Sequence, residues 1–587
     1  MLCGRAFVKG GAVVRHFGRV LKTTTCLQFR TLTVPADVKS KEDKVRQLQK
    51  GPSLEHFIAN STNTPAKQNV CTDDVNIPYL NDSDLLGNGR NVYFDVHGCQ
   101  MNTNDMEIAW SILQEKGYQR TNDMTQADVV LVMTCAIREG AEQKIWRKLK
   151  HLTGMKRRGP LKKGGVRMKI GILGCMAERL KTQILEKEKL VDIVCGPDAY
   201  RDLPRLLAVT NNKQSAVNVL LSLEETYADV MPVRLNEDSV TAYVSIMRGC
   251  DNMCSYCIVP FTRGRERSRP IDSILDEVRM LSDQGVKEVT LLGQNVNSYR
   301  DISESSFYGA PDRSQATTLR DGFKTVYKPK SGGRRFADLL DKVSEIDKDM
   351  RIRFTAAHPK DFPDEVLQLI KERGNICNQL HLPAQSGNNE VLQAMRRGYT
   401  VEAYRQLVDH VQNLVPGVAL TSDFICGFCG ETEEAHQQTL QLIRDVKYSM
   451  VFCFPYSMRQ KTNAYHKLKD DVTEDDKKRR HLEMKEVFKQ VAGKLTETYV
   501  GQVHTVLVEG VSKKDKNFLF GRNDAGLAVI FPDNEILDGN NNRQPKAGDY
   551  VDIKIENTTS QTLYGSPVKI TNLFDSEDSE MLRELQS

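Results

Sequence analysis

The chain has 587 residues, of which 40% are hydrophobic and 27% are charged, and its formal net charge is +5. This length exceeds the roughly 100–200 residues of an ordinary domain, so we expect several folded units. The composition is typical of a soluble globular protein, and no uncharged apolar run reaches the ~18–20 residues that span a bilayer, so we expect no membrane-spanning segment.

The amino-terminal segment, residues 1–36, contains no Asp or Glu but several Arg and Lys residues. On a helix, Arg15, Arg19 and Lys22 share one face, with Val13, Phe17, Val20 and Leu21 opposite. A basic, acid-poor, amphipathic segment predicts a mitochondrial transit peptide and hence a location in the matrix. A disordered basic tail is the alternative. Residues 37–89 are polar without sustained periodicity, which indicates a flexible linker.

Strand and helix patterns then alternate over residues 90–212. Strand patterns occur at 91–96, 129–133 and 169–173, with a helix pattern at 106–116. This alternation predicts a parallel α/β domain.

A second α/β region covers residues 236–480. Six apolar strand patterns occur at 244–247, 289–292, 352–355, 379–382, 420–425 and 451–454. Helix patterns lie between them at 274–281, 365–371, 402–414 and 439–446. Six strand–helix repeats predict a partial (β/α)6 barrel. Residues 300–335 have no clear period and are predicted to form a surface insertion.

The carboxy-terminal region, residues 497–572, changes to short strand patterns at 505–508, 528–531 and 550–555, separated by Gly, Asn and Asp. This predicts a small β-barrel. Residues 573–587 are predicted to form an acidic tail.

Six of the 14 cysteines lie where chemistry is expected. Cys250, Cys254 and Cys257 follow a predicted strand within eight residues, so three thiolates could bind three irons of a cubic cluster and leave the fourth iron open. Structural zinc usually has four protein ligands, and this loop offers three.

Three further cysteines each follow a predicted strand of the first α/β region: Cys99, Cys135 and Cys175. The carboxyl ends of parallel strands meet at one edge of a sheet, where ligands usually bind. Any one of these residues alone is more often a buried thiol. We interpret the other eight, including Cys195 and Cys453, as structural.

The Cys250–Cys257 loop, with Tyr256 before its last cysteine, resembles the signature of radical S-adenosylmethionine (SAM) enzymes. Together with the upstream cysteines it is similar to the MiaB-class tRNA methylthiotransferases. The segments Leu291–Val296, His381–Gly387 and Asp423–Glu431 also look like this family, and Phe520–Asn523 and Gly548–Val551 resemble its RNA-binding TRAM module. Cys429 and the segment Arg459–Ala464 depart from the usual family pattern.

The resemblance implies two [4Fe–4S] clusters, a radical SAM cluster on Cys250, Cys254 and Cys257 and an auxiliary cluster on Cys99, Cys135 and Cys175. It also implies two equivalents of SAM per product, and a cofactor pocket lined by Tyr256, Gly293, Gln294, Gln385, Ser386 and Asp423. For RNA phosphates, the candidate contacts are Arg265, Arg267 and Lys156, which lie in basic stretches.

The implied reaction converts N6-isopentenyladenosine to its 2-methylthio derivative beside the anticodon (position 37) of mitochondrial tRNAs. The expected partners are the tRNA anticodon loop and an electron donor, and a kinase regulatory subunit is a further candidate partner. A branch of the family that modifies a ribosomal protein is harder to separate on motifs. A different class, a kinase-regulatory binding protein that retains a radical SAM barrel, is the alternative function.

Overall fold

The computed structural model describes residues 80–136, 139–159, 167–212, 214–303, 322–324, 332–539 and 541–573. All of them belong to the same unit of the chain, residues 78–587. The predicted transit peptide, residues 37–79 of the predicted linker, most of the predicted insertion and residues 574–587 of the predicted tail lie outside the described residues. No helix in the described ranges is long and apolar enough to cross a membrane.

The first domain contains a parallel sheet of six strands in the order β2-β1-β3-β4-β5-β6. The strands are β1 (Asn91–Val96), β2 (Gln119–Arg120), β3 (Val129–Thr134), β4 (Lys169–Gly174), β5 (Ile193–Cys195) and β6 (Ala216–Asn218). The helices are α1 (Gln100–Glu115), α2 (Glu139–Arg158), α3 (Cys175–Leu180), α4 (Gln183–Lys187) and α5 (Leu203–Val209).

Both faces of this sheet are covered, which explains why β3 and β4 are buried along their whole length. Successive strand residues point to opposite faces. Thus Leu131 packs in one core with Leu113 of α1, whereas Val130 packs in the other with Leu149 of α2. The two central strands end at the same edge, and the cysteines follow there.

The second domain contains six parallel strands in two three-stranded sheets, β7-β10-β13 and β14-β15-β16. These strands are β7 (Thr241–Ser245), β10 (Glu288–Leu292), β13 (Arg351–Phe354), β14 (Gln379–His381), β15 (Ala419–Cys426) and β16 (Met450–Pro455). Short antiparallel pairs join β8 (Met247–Arg248) to β9 (Arg267–Ser268) and β11 (Arg300–Asp301) to β12 (Arg334–Arg335).

Most helices of this domain pack their apolar sides on the strands in one large core, and the short helix Asn463–Lys467 packs in a smaller cluster through Ala464. The helices are α6 (Val259–Thr262), α7 (Ile271–Asp283), α8 (Phe336–Ser344), α9 (Asp364–Glu372), α10 (Asn389–Ala394), α11 (Val401–Leu414), α12 (Glu433–Val446) and α13 (Asn463–Lys467). The predicted six-stranded partial barrel is therefore confirmed, with strand bounds shifted by one to three residues.

A long helix, α14 (Glu474–Glu497), leads into the terminal domain. That domain comprises β17 (Val503–Val511), β18 (Phe518–Asn523), β19 (Ala528–Pro532), β20 (Ile536–Asp538), β21 (Asn541–Arg543), β22 (Tyr550–Thr558) and β23 (Thr562–Thr571). Five strands close into a barrel, β19-β18-β17-β22-β23, because β19 also pairs with β23. Closure leaves these five strands without an open edge, and the predicted β-barrel is confirmed.

The terminal barrel contacts the amino-terminal ends of the partial-barrel strands. Arg351 donates to the carbonyls of Thr505 and Arg522 at 2.7 and 2.9 Å. In the same way, Arg353 donates to the carbonyls of Asn523 and Asp524, both at 2.7 Å. The terminal barrel thus lies at the end of the strands opposite to the end where the cysteines are found.

Candidate active site

The first trio of thiols consists of Cys99, Cys135 and Cys175, which follow the neighbouring strands β1, β3 and β4. Thr134 pairs directly with Gly174, so the next residue on each strand, a cysteine, leaves the sheet at the same level. Cys99 is the N-cap of α1, where the positive end of the helix dipole favours a thiolate. Cysteines that are 36 and 40 residues apart in sequence thus reach one edge of the sheet.

Two glycines allow this close approach. Gly98 has φ of +117°, and a Cβ atom there would lie 2.7 Å from Cβ of Cys135. Gly174 has φ of +89°, and its Cβ would lie 2.8 Å from the carbonyl oxygen of Thr134. Side chains at either position would combine backbone strain with a clash, so both turns depend on glycine.

The second trio, Cys250, Cys254 and Cys257, lies on the loop between β8 and β9. The loop turns back on itself where the amide of Cys257 donates to the carbonyl of Cys254 at 3.0 Å. Ser255 anchors it, since its hydroxyl donates to the carbonyl of Ala394 at 2.7 Å. The three thiols are therefore held against the carboxyl end of the partial barrel.

Cys175 of the first trio lies at the seam between the first two domains, beside a residue that follows the second trio. Cys175, Ala136 and Ile258 pack together in one buried cluster, and Ile258 directly follows Cys257. Each trio therefore contributes to the same boundary, one from the edge of the sheet and one from the end of the barrel.

A buried arginine of the second domain bonds to the first trio. Arg263 Nε donates to Sγ of Cys175 at 3.2 Å, and its Nη2 donates to Asp105 Oδ2 at 2.5 Å. The other oxygen of Asp105 accepts from Arg248 at 2.6 Å. All three charged side chains are at most 4% exposed. The sequence reasoning missed Asp105 because α1 begins at residue 100, six residues before its predicted start, and its polar beginning has no helical apolar pattern.

A second buried arginine bonds to the other trio. Arg397 Nη1 donates to Sγ of Cys254 at 3.4 Å and lies 3.5 Å from the hydroxyl of Tyr256. Its Nη2 donates to the carbonyl of Pro383 at 3.0 Å. Each trio thus has one fixed cation beside one of its sulfurs.

The surroundings of these thiols disfavour thiolates that have no positive charge beside them. Burial raises the pKa of Cys99, Cys175, Cys250 and Cys257 above the ordinary thiol value, and neighbouring thiols raise it further. Arg263 opposes this by lowering the pKa of Cys99 and Cys175. Thiolates in such surroundings need positive charge, which iron would supply.

The donor set fits a cluster better than a single ion. No cysteine in the described ranges forms a disulfide. Among the described residues, no three Cys, His, Asp or Glu side chains converge on one point as a single ion would require. A cluster is different because each thiolate binds its own iron, so the sulfurs stay apart.

Comparison with known proteins identifies the family of the chain. Family models match for "Radical SAM superfamily" over residues 244–443, "Uncharacterized protein family UPF0004" over 91–196 and "TRAM domain" over 497–568. The chain is 58% identical over 541 residues to "Mitochondrial tRNA methylthiotransferase CDK5RAP1" of Mus musculus, which covers 92% of this chain and 91% of that protein. The chain belongs to the radical SAM tRNA methylthiotransferase family.

More distant relatives of this methylthiotransferase include "tRNA-2-methylthio-N(6)-dimethylallyladenosine synthase" of Chloroherpeton thalassium, 44% identical over 81% of this chain and 95% of that protein. Among solved structures, the radical SAM methyltransferase TsrM of Kitasatospora setae has 13% identity and a TM-score of 0.45, covering 64% of this chain and 74% of that one. Membership of the radical SAM superfamily implies a [4Fe–4S] cluster and SAM.

The predicted cofactor-pocket residues of the methylthiotransferase lie in two places, one after β10 and the other beside β15. Gly293 and Gln294 follow β10, and Oε1 of Gln294 is buried without a hydrogen-bond partner among the described residues. Gln385 pairs with β15, where its amide donates to the carbonyl of Asp423 at 2.9 Å. Ser386 instead accepts from the amide of Asn388 at 3.2 Å and so stabilises the turn before α10.

Two residues beside the predicted pocket residue Asp423 were not among the predicted site residues. His381 Nε2 lies 3.4 Å from Asp423 Oδ2, and its ring packs edge-on to Phe452 at 6.2 Å between centroids. Phe452 is 44% exposed and belongs to β16, the edge strand of its sheet. Its position in the segment Val451–Phe454, interpreted only as a buried strand, gave no sign of an exposed aromatic ring inside the barrel.

The predicted RNA contacts require a correction. Lys156 is buried and bonds to Asp192 Oδ2 at 2.5 Å, and Arg267 is buried and makes a bidentate pair with Asp198 at 2.9 and 3.1 Å. A cation whose charge is satisfied inside the protein is not available to a phosphate, so the prediction is wrong for both. Arg265 is 56% exposed and pairs with Asp251 at 2.7 Å.

Proposed function

We propose that this enzyme converts N6-isopentenyladenosine to 2-methylthio-N6-isopentenyladenosine at position 37 of mitochondrial tRNAs, in the matrix, after removal of residues 1–36. The names of its relatives support the substrate class and the compartment. The observation that supports the proposal is the packing of Cys175 of the first trio against Ile258, which directly follows Cys257 of the second.

In this proposal Cys250, Cys254 and Cys257 hold the radical SAM cluster, and Cys99, Cys135 and Cys175 hold an auxiliary cluster. When bound, the clusters and two equivalents of SAM would supply an adenosyl radical and a sulfur donor, which suits an adenine C–H that acid–base groups cannot activate. The target base would leave the anticodon loop to enter the seam, as is usual when proteins act on a base.

The chain's own residues have defined tasks in this scheme. Arg263 and Arg397 orient Cys175 and Cys254 and place positive charge beside them. Gln294 offers a buried acceptor at the end of β10, and the His381–Asp423 pair offers polar contacts within the barrel. The bidentate Arg267–Asp198 pair holds the domains together and thus helps to exclude water from the seam.

The test is anaerobic reconstitution with iron and sulfide, followed by iron counting and mass spectrometry of tRNA nucleosides. We expect about eight irons in the wild type and about four in either triple Cys→Ser variant. Cys195→Ser is the matched control, since Cys195 is buried within the first domain. Four irons in the wild type would refute the auxiliary cluster, and none would favour a kinase-regulatory binding protein. Eight irons without a methylthio product would refute the substrate.

The same experiment separates the two partners of the reaction. Chemical reduction replaces the physiological electron donor, which we infer to be a separate redox protein. Product formed with a chemical reductant but not in its absence would support this inference.

A further inference from the structure

Helix α2 carries a surface that no known role explains. From Gln143 to Arg158 it contains no acidic residue. Five of its cations are exposed, and we call them the α2 stripe: Lys144, Arg147, Lys150, Arg157 and Arg158. At 100° per residue they occupy one arc of about 140°, opposite the buried Ile145, Leu149 and Leu152.

Two carboxylates of the first domain form ion pairs with other cations of α2. Two other cations of α2 face inward, and both are neutralised: Lys148 by Asp95 at 3.0 Å and Lys156 by Asp192 at 2.5 Å. None of the five stripe cations has an ion pair with a described carboxylate. An ordinary solvated helix face mixes both signs of charge, whereas over residues 143–158 all the charged residues of this face are cations, which complements a polyanion.

The position of α2 relates the stripe to the active site. The helix begins four residues after Cys135, and in its first turn Glu142 bonds to Arg179 at 2.6 Å and to Arg459, after β16, at 3.3 Å. Its first turn therefore lies at the seam, and its 20 residues extend about 30 Å from there. The terminal barrel, in contrast, contacts the opposite end of the partial-barrel strands.

We propose that the α2 stripe binds the phosphate backbone of the tRNA anticodon stem and directs the loop into the seam. This inference rests on the proposed function, since it assumes a tRNA substrate. A rigid duplex with its loop at the seam would lie along a basic track that starts at the seam, and phosphate contacts of this kind fix register without reading sequence.

The test neutralises the stripe in the reconstituted holoenzyme with the triple variant Lys144→Gln/Arg147→Gln/Lys150→Gln. Its matched control, Lys342→Gln/Lys371→Gln/Lys489→Gln, removes three exposed cations from α8, α9 and α14. The probe is mitochondrial tRNA that carries isopentenyladenosine but no methylthio group, and Kd is measured by anisotropy at several salt concentrations.

We expect the stripe variant to raise Kd about 10-fold or more and to reduce the slope of log K against log salt by about 1 for each phosphate that is no longer neutralised. The KM for tRNA should rise with kcat unchanged, and the control should stay within about twofold of wild type on both measures. The variant Arg157→Gln/Arg158→Gln should weaken binding independently. Cleavage of SAM without tRNA should not change in any variant.

Equal Kd for stripe variant and wild type, or an equal loss of affinity in the control, would overturn the proposal. So would unchanged tRNA binding together with slower reduction by an acidic electron-donor protein, because that would make the stripe a protein-docking surface. If the wild type does not methylthiolate tRNA, the proposed function itself fails. If it does and the stripe variant has normal KM, only the role of the stripe fails.

Discussion

The shared carboxylate at the seam gives the sharpest prediction for stability. Asp105 is fully buried and accepts from Arg248 at 2.6 Å and from Arg263 at 2.5 Å. Asp105→Asn keeps the shape but removes the charge. Arg248 still faces Glu225 at 3.7 Å, whereas Arg263 loses its only carboxylate partner among the described residues.

Removing one partner of a buried ion pair costs about 3–5 kcal/mol, because an uncompensated charge stays buried. For a domain of about 150–250 residues that unfolds cooperatively, each kcal/mol lowers Tm by about 2–4 °C, so we expect a decrease of about 6–20 °C. Thermal unfolding of the apoprotein, followed by circular dichroism, measures this without any contribution from iron.

The matched control is Asp276→Asn, because Asp276 makes the same kind of pair with Arg279 at 2.8 Å, but in solvent, with side chains 62% and 55% exposed. Exposed pairs contribute about 0–1 kcal/mol. Equal Tm shifts for the two variants would refute the view that the Asp105 pairs hold the seam together.

Three more predictions concern single positions. Burial raises the pKa of Glu107 to about 7, whereas its unfolded pKa is about 4.3, so the stability of the wild type falls as pH rises between these values. In denaturant titrations Glu107→Gln should therefore be more stable than the wild type by up to about 3 kcal/mol at pH 8 and should have no advantage at pH 4. Gly98→Ala should lower the iron count from about eight to about four, because its Cβ would meet Cys135 at 2.7 Å. Lys156→Gln should lower Tm and leave the KM for tRNA unchanged, since Lys156 is bonded to Asp192.

The orientation of the terminal barrel bears on how the substrate is held. Its contacts with Arg351 and Arg353 lie at the amino-terminal ends of the barrel strands, and the thiols lie at the carboxyl ends. An RNA that contacts the terminal barrel and also places a base at the thiols must therefore extend along the side of the partial barrel. The α2 stripe provides a cationic surface nearer to the thiols than the terminal barrel does.

The sequence alone determined the architecture and the thiol positions. Apolar strand runs that alternate with helix patterns predicted the parallel sheet and the six-stranded barrel, and short strand patterns predicted the terminal β-barrel, because these patterns are local. The three upstream cysteines could be placed at one edge for the same reason, since each directly follows a strand pattern and parallel strands end together.

Whether a charged side chain is exposed or is paired inside the protein could be learned only from the tertiary contacts. Lys156 and Lys144 are both lysines of helix α2, yet Lys156 bonds to Asp192, 36 residues away, and Lys144 is exposed to solvent. From its residue type Asp105 would be expected on the surface, but in the structure Arg248, 143 residues away, donates a hydrogen bond to it. The identity of a charged side chain is known from the sequence, whereas its burial and its partner depend on long-range contacts that no local pattern encodes.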